Sequence, residues 1–109
     1  MDISKSDIYL LLALAEGPAH GYAMMQTMRE RSAGAVRVST GSFYRRLSAL
    51  IAQGLVEETA GPKHDDPRRG AYYRLTVSGR RALAEERDRL AALVAAVDGL
   101  RAAPRRGRP

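Results

Sequence analysis

Residues 38–47 read VSTGSFYRRL. A small polar run, Ser39 to Ser42, opens onto Phe43 and Tyr44 and then onto Arg45 and Arg46. Ser39 has the chemistry of an N-cap, so the stretch reads as the front of a helix. Phe43, Leu47, Leu50 and Ile51 recur at helical spacing and carry that helix to about Gln53, with Gly54 as the residue that ends it. Arg45 and Arg46 fall off this stripe and should point outward. Cations are disfavoured at the positive end of a helix dipole. No carboxylate occurs between Arg31 and Val56. The negative partner of these guanidiniums is therefore not local. Either it comes from outside the segment, or the face is an ordinary solvated basic one.

Working outward, Leu55 to Thr59 reads as a strand and Ala71 to Thr76 as a second. The polar loop Ala60 to Gly70 makes them a hairpin with a long tip. On the other side, Ser6 is expected to cap a first helix, with Asp7 in its first turn and Gly17-Pro18 at its end. Its segment IYLLLALA is apolar nearly all round and should be deeply buried. A second helix starts near His20 or Gly21 and runs to about Ser32, with Tyr22, Met25 and Met28 at helical spacing. Ala33-Gly34 breaks it, and Val36 to Val38 is expected as a very short strand. Helix, helix, helix, hairpin is the order of a winged helix-turn-helix. The expected class is mainly α with a small β-hairpin.

A last helix should extend from about Ser78 to Leu100. Leu83, Leu90 and Val97 are spaced by heptads, as are Leu93 and Leu100, with Val94 between them. This helix is longer than a core of this size can cover. It is expected, with Ile8 and Leu12 of the first helix, to pair with a second copy. The division is a winged helix-turn-helix over 1–76, a C-terminal dimerisation helix over 77–101 and a disordered basic tail over 102–109.

The chain has 109 residues and a net charge of +6, and its pI is about 10.3. That length suits one domain with a modest core. The charge favours an anionic partner: nucleic acid, an acidic protein face or an anionic membrane surface. There is no cysteine, which removes disulfides, thiolate metal sites and cysteine nucleophiles. The N-terminus shows no secretory pattern, and Ile8 to Ala15 is too short to span a bilayer. The cytoplasm is the expected location.

In a helix-turn-helix the second helix of the motif presents its N-terminal part to the major groove. Ser39, Thr40, Gly41 and Ser42 are small enough to let backbone N–H groups approach a phosphate, and their hydroxyls can donate. Arg45 and Arg46 can reach guanine or phosphate. Tyr44 sits on the flank, with its hydroxyl available to the DNA backbone. The hairpin tip GPKHDDPRRG adds Lys63, His64, Arg68 and Arg69, interrupted by Asp65 and Asp66. A wing can add charge over the minor groove or phosphates. An exposed loop that binds nothing has the same composition.

No metal or cofactor is expected, since His20 and His64 stand far apart and no cysteine supplements them. His20 is expected to cap or brace the second helix. No P-loop, HExxH or GxSxG occurs, and neighbouring acids such as Glu57-Glu58 diverge on a strand or helix, so an enzyme is not expected. Met24, Met25 and Met28 read as core more readily than as a ligand pocket.

Three blocks in order, GPAHGYAMM (17–25), STGSFYRRLSALIAQGLVEE (39–58) and YYRLTVSGRRAL (72–83), resemble the PadR-like transcriptional regulators. The single C-terminal helix is similar to the short branch of that family. The resemblance implies a winged helix-turn-helix dimer, usually a repressor, that binds a pseudo-palindromic operator. In some members a small-molecule effector releases the DNA; none is identified here. It carries DNA contact onto Ser39, Gly41, Ser42, Tyr44 and the basic wing. Where a proline is common after the third helix's tyrosine, this chain has Arg45. Two rival readings are a winged-helix module that binds a protein partner, and an RNA-binding protein. The second lacks an exposed aromatic platform.

Overall fold

The computed structural model describes residues 3–63 and 70–102. In chain order the elements are α1 (Lys5–Leu12), β1 (Ala19–His20), α2 (Gly21–Arg31), α3 (Thr40–Ala52), β2 (Val56–Thr59), β3 (Tyr72–Leu75) and α4 (Val77–Ala102). The strands form one antiparallel sheet in the order β1-β3-β2. This is a mainly helical winged helix-turn-helix with a small sheet, followed by one long helix.

Local chemistry sets most of the boundaries. Ser39 caps α3 by accepting from the Ser42 N–H at 3.1 Å, which satisfies one of the free donors of the first turn. At the other end, Gly54 N–H donates to Ile51 O and Leu55 N–H to Leu50 O. That pair of bonds is a Schellman closure, and it needs the left-handed backbone that Gly54 adopts at φ 77°. The chain turns there directly into β2, whose Glu57 stands opposite Arg74 of β3. His20 caps α2, its Nδ1 accepting from Ala23 N–H at 3.2 Å, as its position before the helix suggested.

The core lies between α1, α2 and α3 and is closed by the sheet. Leu10, Leu11, Leu14, Met24, Phe43, Leu47, Leu50 and Val56 are fully or almost fully buried. Burying a side chain of this size contributes roughly 1.5–3 kcal/mol.

Five local expectations are corrected. The cap of α1 is Ser4, whose Oγ accepts from Asp7 N–H at 3.1 Å, and not Ser6. The helix ends at Leu12; tight turns through Leu14 and Ala15 follow and tuck Leu14 into the core. Val36 to Val38 is not a strand: Val36 N–H is taken by Ser32 Oγ at 2.9 Å. The third strand is instead β1, where Ala19 and His20 pair with Tyr73 and Tyr72. In α2 the buried face is Met24 and Met28, with Met25 half-buried and Tyr22 at 68% exposure. Ile51, expected in the α3 stripe, is 38% exposed, because Phe43, Leu47 and Leu50 already fill that face.

Candidate nucleic-acid interface

The front of α3 is open. Ser39, Thr40 and Gly41 are exposed, Ser42 is half-buried, and a Cβ at Gly41 would meet nothing within 4 Å. Ser39 Oγ accepts inside the helix cap, which leaves its O–H free to donate outward. Arg45 is exposed and enters no ion pair among the described residues. An open, small-residue edge with an exposed guanidinium one turn in can approach a phosphate backbone or a base edge.

Arg46 is placed differently from its expectation. Its Nη1 donates to Ser4 Oγ at 3.1 Å and to Asp7 Oδ1 at 3.4 Å. The carboxylate missing from the Arg31–Val56 segment is thus supplied, for this arginine, by α1. Asp7 was legible as a helix-start acid, but nothing local ties it to a residue 39 positions on.

Tyr44 is 43% exposed, stacks edge-to-face on Phe43 at 5.0 Å and lays its hydroxyl over Gly21. A Cβ at position 21 would collide with that hydroxyl. The Gly21 of the first family-like block and the Tyr44 of the second therefore form one contact between α2 and α3. Nearby, burial pushes the Tyr73 phenol above its usual pKa, with the Glu58 carboxylate and then Tyr44 adding to the effect. His20 faces Tyr72 edge-on at 5.4 Å, which packs the start of α2 against the sheet.

On the wing, Lys63 is exposed. His64, Arg68 and Arg69 lie outside the described residues. Glu57 and Arg74 form a cross-strand ion pair at 2.8 Å, so that arginine of the wing's stem is already partnered. Among the described residues no group of acids and histidines could hold a metal ion, and no helix is long and apolar enough to cross a membrane.

The transcriptional regulator PadR-like family matches residues 10–85. The chain belongs to that family. Its members are transcriptional regulators, not enzymes. Solved structures share the fold. A PadR family transcription regulator from Clostridium difficile is 19% identical, with a TM-score of 0.73 over 89% of this chain and 98% of that one. A PadR-like transcriptional regulator from Bacillus cereus is 23% identical, with a TM-score of 0.72 over 89% and 91%. Bacillus subtilis PadR in complex with operator DNA is 20% identical, with a TM-score of 0.58 over 72% of this chain and 44% of that one. No curated protein matches the sequence.

The PadR-like match stops at residue 85, and α4 continues to Ala102. On α4, Leu90, Leu93, Val94, Val97 and Leu100 are between 44% and 79% exposed. Leu83, with Ile8 and Leu12, is half-buried. Ile8, Leu12, Leu83, Ala84, Arg87 and Leu90 line a groove of about 470 Å³ between α1 and α4. Of the residues expected to pair with a second copy, Ile8, Leu12, Leu83 and Leu90 meet in this groove, and Leu93, Val94, Val97 and Leu100 are exposed further along α4.

Proposed function

We propose that this PadR-like regulator works as a homodimer that binds a pseudo-palindromic DNA operator and represses transcription in the cytoplasm. The observation that carries this reading is the bare front of α3: exposed Ser39, Thr40 and Gly41 followed by the exposed Arg45, which enters no ion pair among the described residues. A duplex supplies what that surface lacks, a dense array of acceptors. Residues 1–76 would bind DNA, and 77–101 would join two copies. The apolar run from Leu90 to Leu100, exposed in the single chain, supports the second copy, because patches of that kind mark association surfaces. A twofold dimer sets two α3 helices on half-sites about 34 Å apart. That a relative from Bacillus subtilis was solved with operator DNA agrees with this.

Selection of bound duplexes from a random pool, followed by titration of the selected site, tests the proposal. The selected motif should show twofold symmetry. Arg45→Ala should weaken the preferred site by about 1–3 kcal/mol if it reads a base edge, with little loss on scrambled DNA. An equal loss on every sequence would make Arg45 a phosphate contact. Failure to bind any duplex at low salt overturns the proposal and favours the protein-partner reading.

A further inference from the structure

Arg45 and Arg46 are sequence neighbours with opposite surroundings. Arg45 is exposed. Arg46 reaches back to α1, to Ser4 Oγ at 3.1 Å and Asp7 Oδ1 at 3.4 Å. Its Nε is buried with no acceptor among the described residues, so the root of the guanidinium is committed inward. Its side chain is 36% exposed and that of Asp7 20%. Ser4 serves twice, as the cap of α1 and as an acceptor for Arg46.

Building on the DNA-binding reading, we infer that Arg46 is a positioning residue and not a DNA contact. It ties the recognition helix to the start of α1, and Asp7 withholds its charge from the duplex. A half-exposed ion pair adds little to stability. What a guanidinium whose Nη1 is shared by a hydroxyl and a carboxylate does provide is a link that orients two elements. Asp7 precedes Ile8, which lines the apolar groove on the other side of α1. The pair therefore joins the surface that meets DNA to the surface that meets the second copy. In a twofold dimer that linkage fixes the relation between the two α3 helices. Arg46 shares a shallow pocket with Asp7, Ser42, Arg45 and Ala49. Without the Asp7 carboxylate, its guanidinium stands beside Arg45 as a second cation for phosphate.

The salt dependence of binding to random-sequence duplex of about three helical turns separates these roles. The slope of log K against log salt changes by about 0.9 for each phosphate neutralised. Anisotropy titrations of the full chain between roughly 50 and 200 mM salt resolve such a change. Arg45→Gln should flatten the slope by about 0.9 per protomer, and Arg46→Gln should leave it unchanged. Asp7→Asn should steepen it by about 0.9. Asp88→Asn removes the same charge and frees Arg87, its 2.9 Å partner on α4, and should change nothing. Equal flattening by Arg45→Gln and Arg46→Gln overturns the inference, as does an Asp7→Asn slope that matches Asp88→Asn. If Arg46→Gln does not fold, the comparison of Asp7→Asn with Asp88→Asn decides alone. If the unsubstituted protein ignores the duplex, it is the DNA-binding reading that fails. If it binds and only the variants misbehave, the role of Arg46 is what fails.

Discussion

Gly79 and Gly99 both lie inside α4, and alanine should act on them with opposite signs. Helix propensity alone says that either change stabilises, by about 0.8–1 kcal/mol. At Gly99 nothing stands within 4 Å of a new Cβ, so that gain should appear nearly in full. At Gly79 the Cβ would fall on the Leu55 carbonyl oxygen and within 3.2 Å of Leu75 Cδ2. The obstacle is backbone, held in the turn after α3, and cannot swing aside. Gly79 also belongs to a hydrogen-bonded joint. Its N–H donates to Thr76 Oγ1 at 2.9 Å, and the Thr76 hydroxyl donates to Gly54 O at 2.6 Å. Thr76 N–H donates to Leu55 O at 3.1 Å. Overpacking costs about 1–3 kcal/mol, with the upper end expected against backbone, and loss of one joint bond costs about 1 kcal/mol. Set against the propensity gain, the net loss for Gly79→Ala is about 3 kcal/mol. For a chain near 100 residues, that lowers Tm by roughly 12 °C, whereas Gly99→Ala should raise it by about 3 °C. Thermal unfolding followed by circular dichroism, at one fixed protein concentration because association shifts Tm, measures both. A Gly79→Ala protein as stable as Gly99→Ala would refute the close approach of α4 to Leu55.

Two further outcomes follow from the same geometry. Leu93, 61% exposed on α4, should accept Glu without harm to the monomer core but should abolish pairing; light scattering would then report monomers, and a surviving dimer would place the interface elsewhere. The raised Tyr73 phenol is a group whose neutral form the fold prefers. Its contribution to stability is complete below the ordinary tyrosine pKa of about 10 and declines as pH rises past that value. Ultraviolet titration should show a late-ionising phenol that is absent from Tyr73→Phe.

What the sequence disclosed, and what it hid, divides by range. Ser39, His20 and Gly54 act on residues three to five positions away, and each was readable because its chemistry has only a local use. The hairpin followed from the same turn and strand signals. The errors of phase and place have another cause. β1 is two residues long and exists only because β3 offers an edge to it, so no periodicity announces it. In α2 the spacing of Tyr22, Met25 and Met28 competes with that of Met24 and Met28, and only the surrounding helices decide that Met24 is buried while Tyr22 is exposed.

The two arginines of this carboxylate-free helix divide for the same reason. Sequence can show that a charge lacks a local partner. It cannot show whether the partner arrives from elsewhere in the fold or from another molecule. For Arg46 the fold supplies Asp7 and Ser4. For Arg45 the described fold supplies none. The family's shared framework fixes where α3 sits. The distinction between a tethered arginine and an open one, made by a single carboxylate on α1, is what would let two copies of this chain hold a pair of recognition helices steady while still presenting a free guanidinium to the groove.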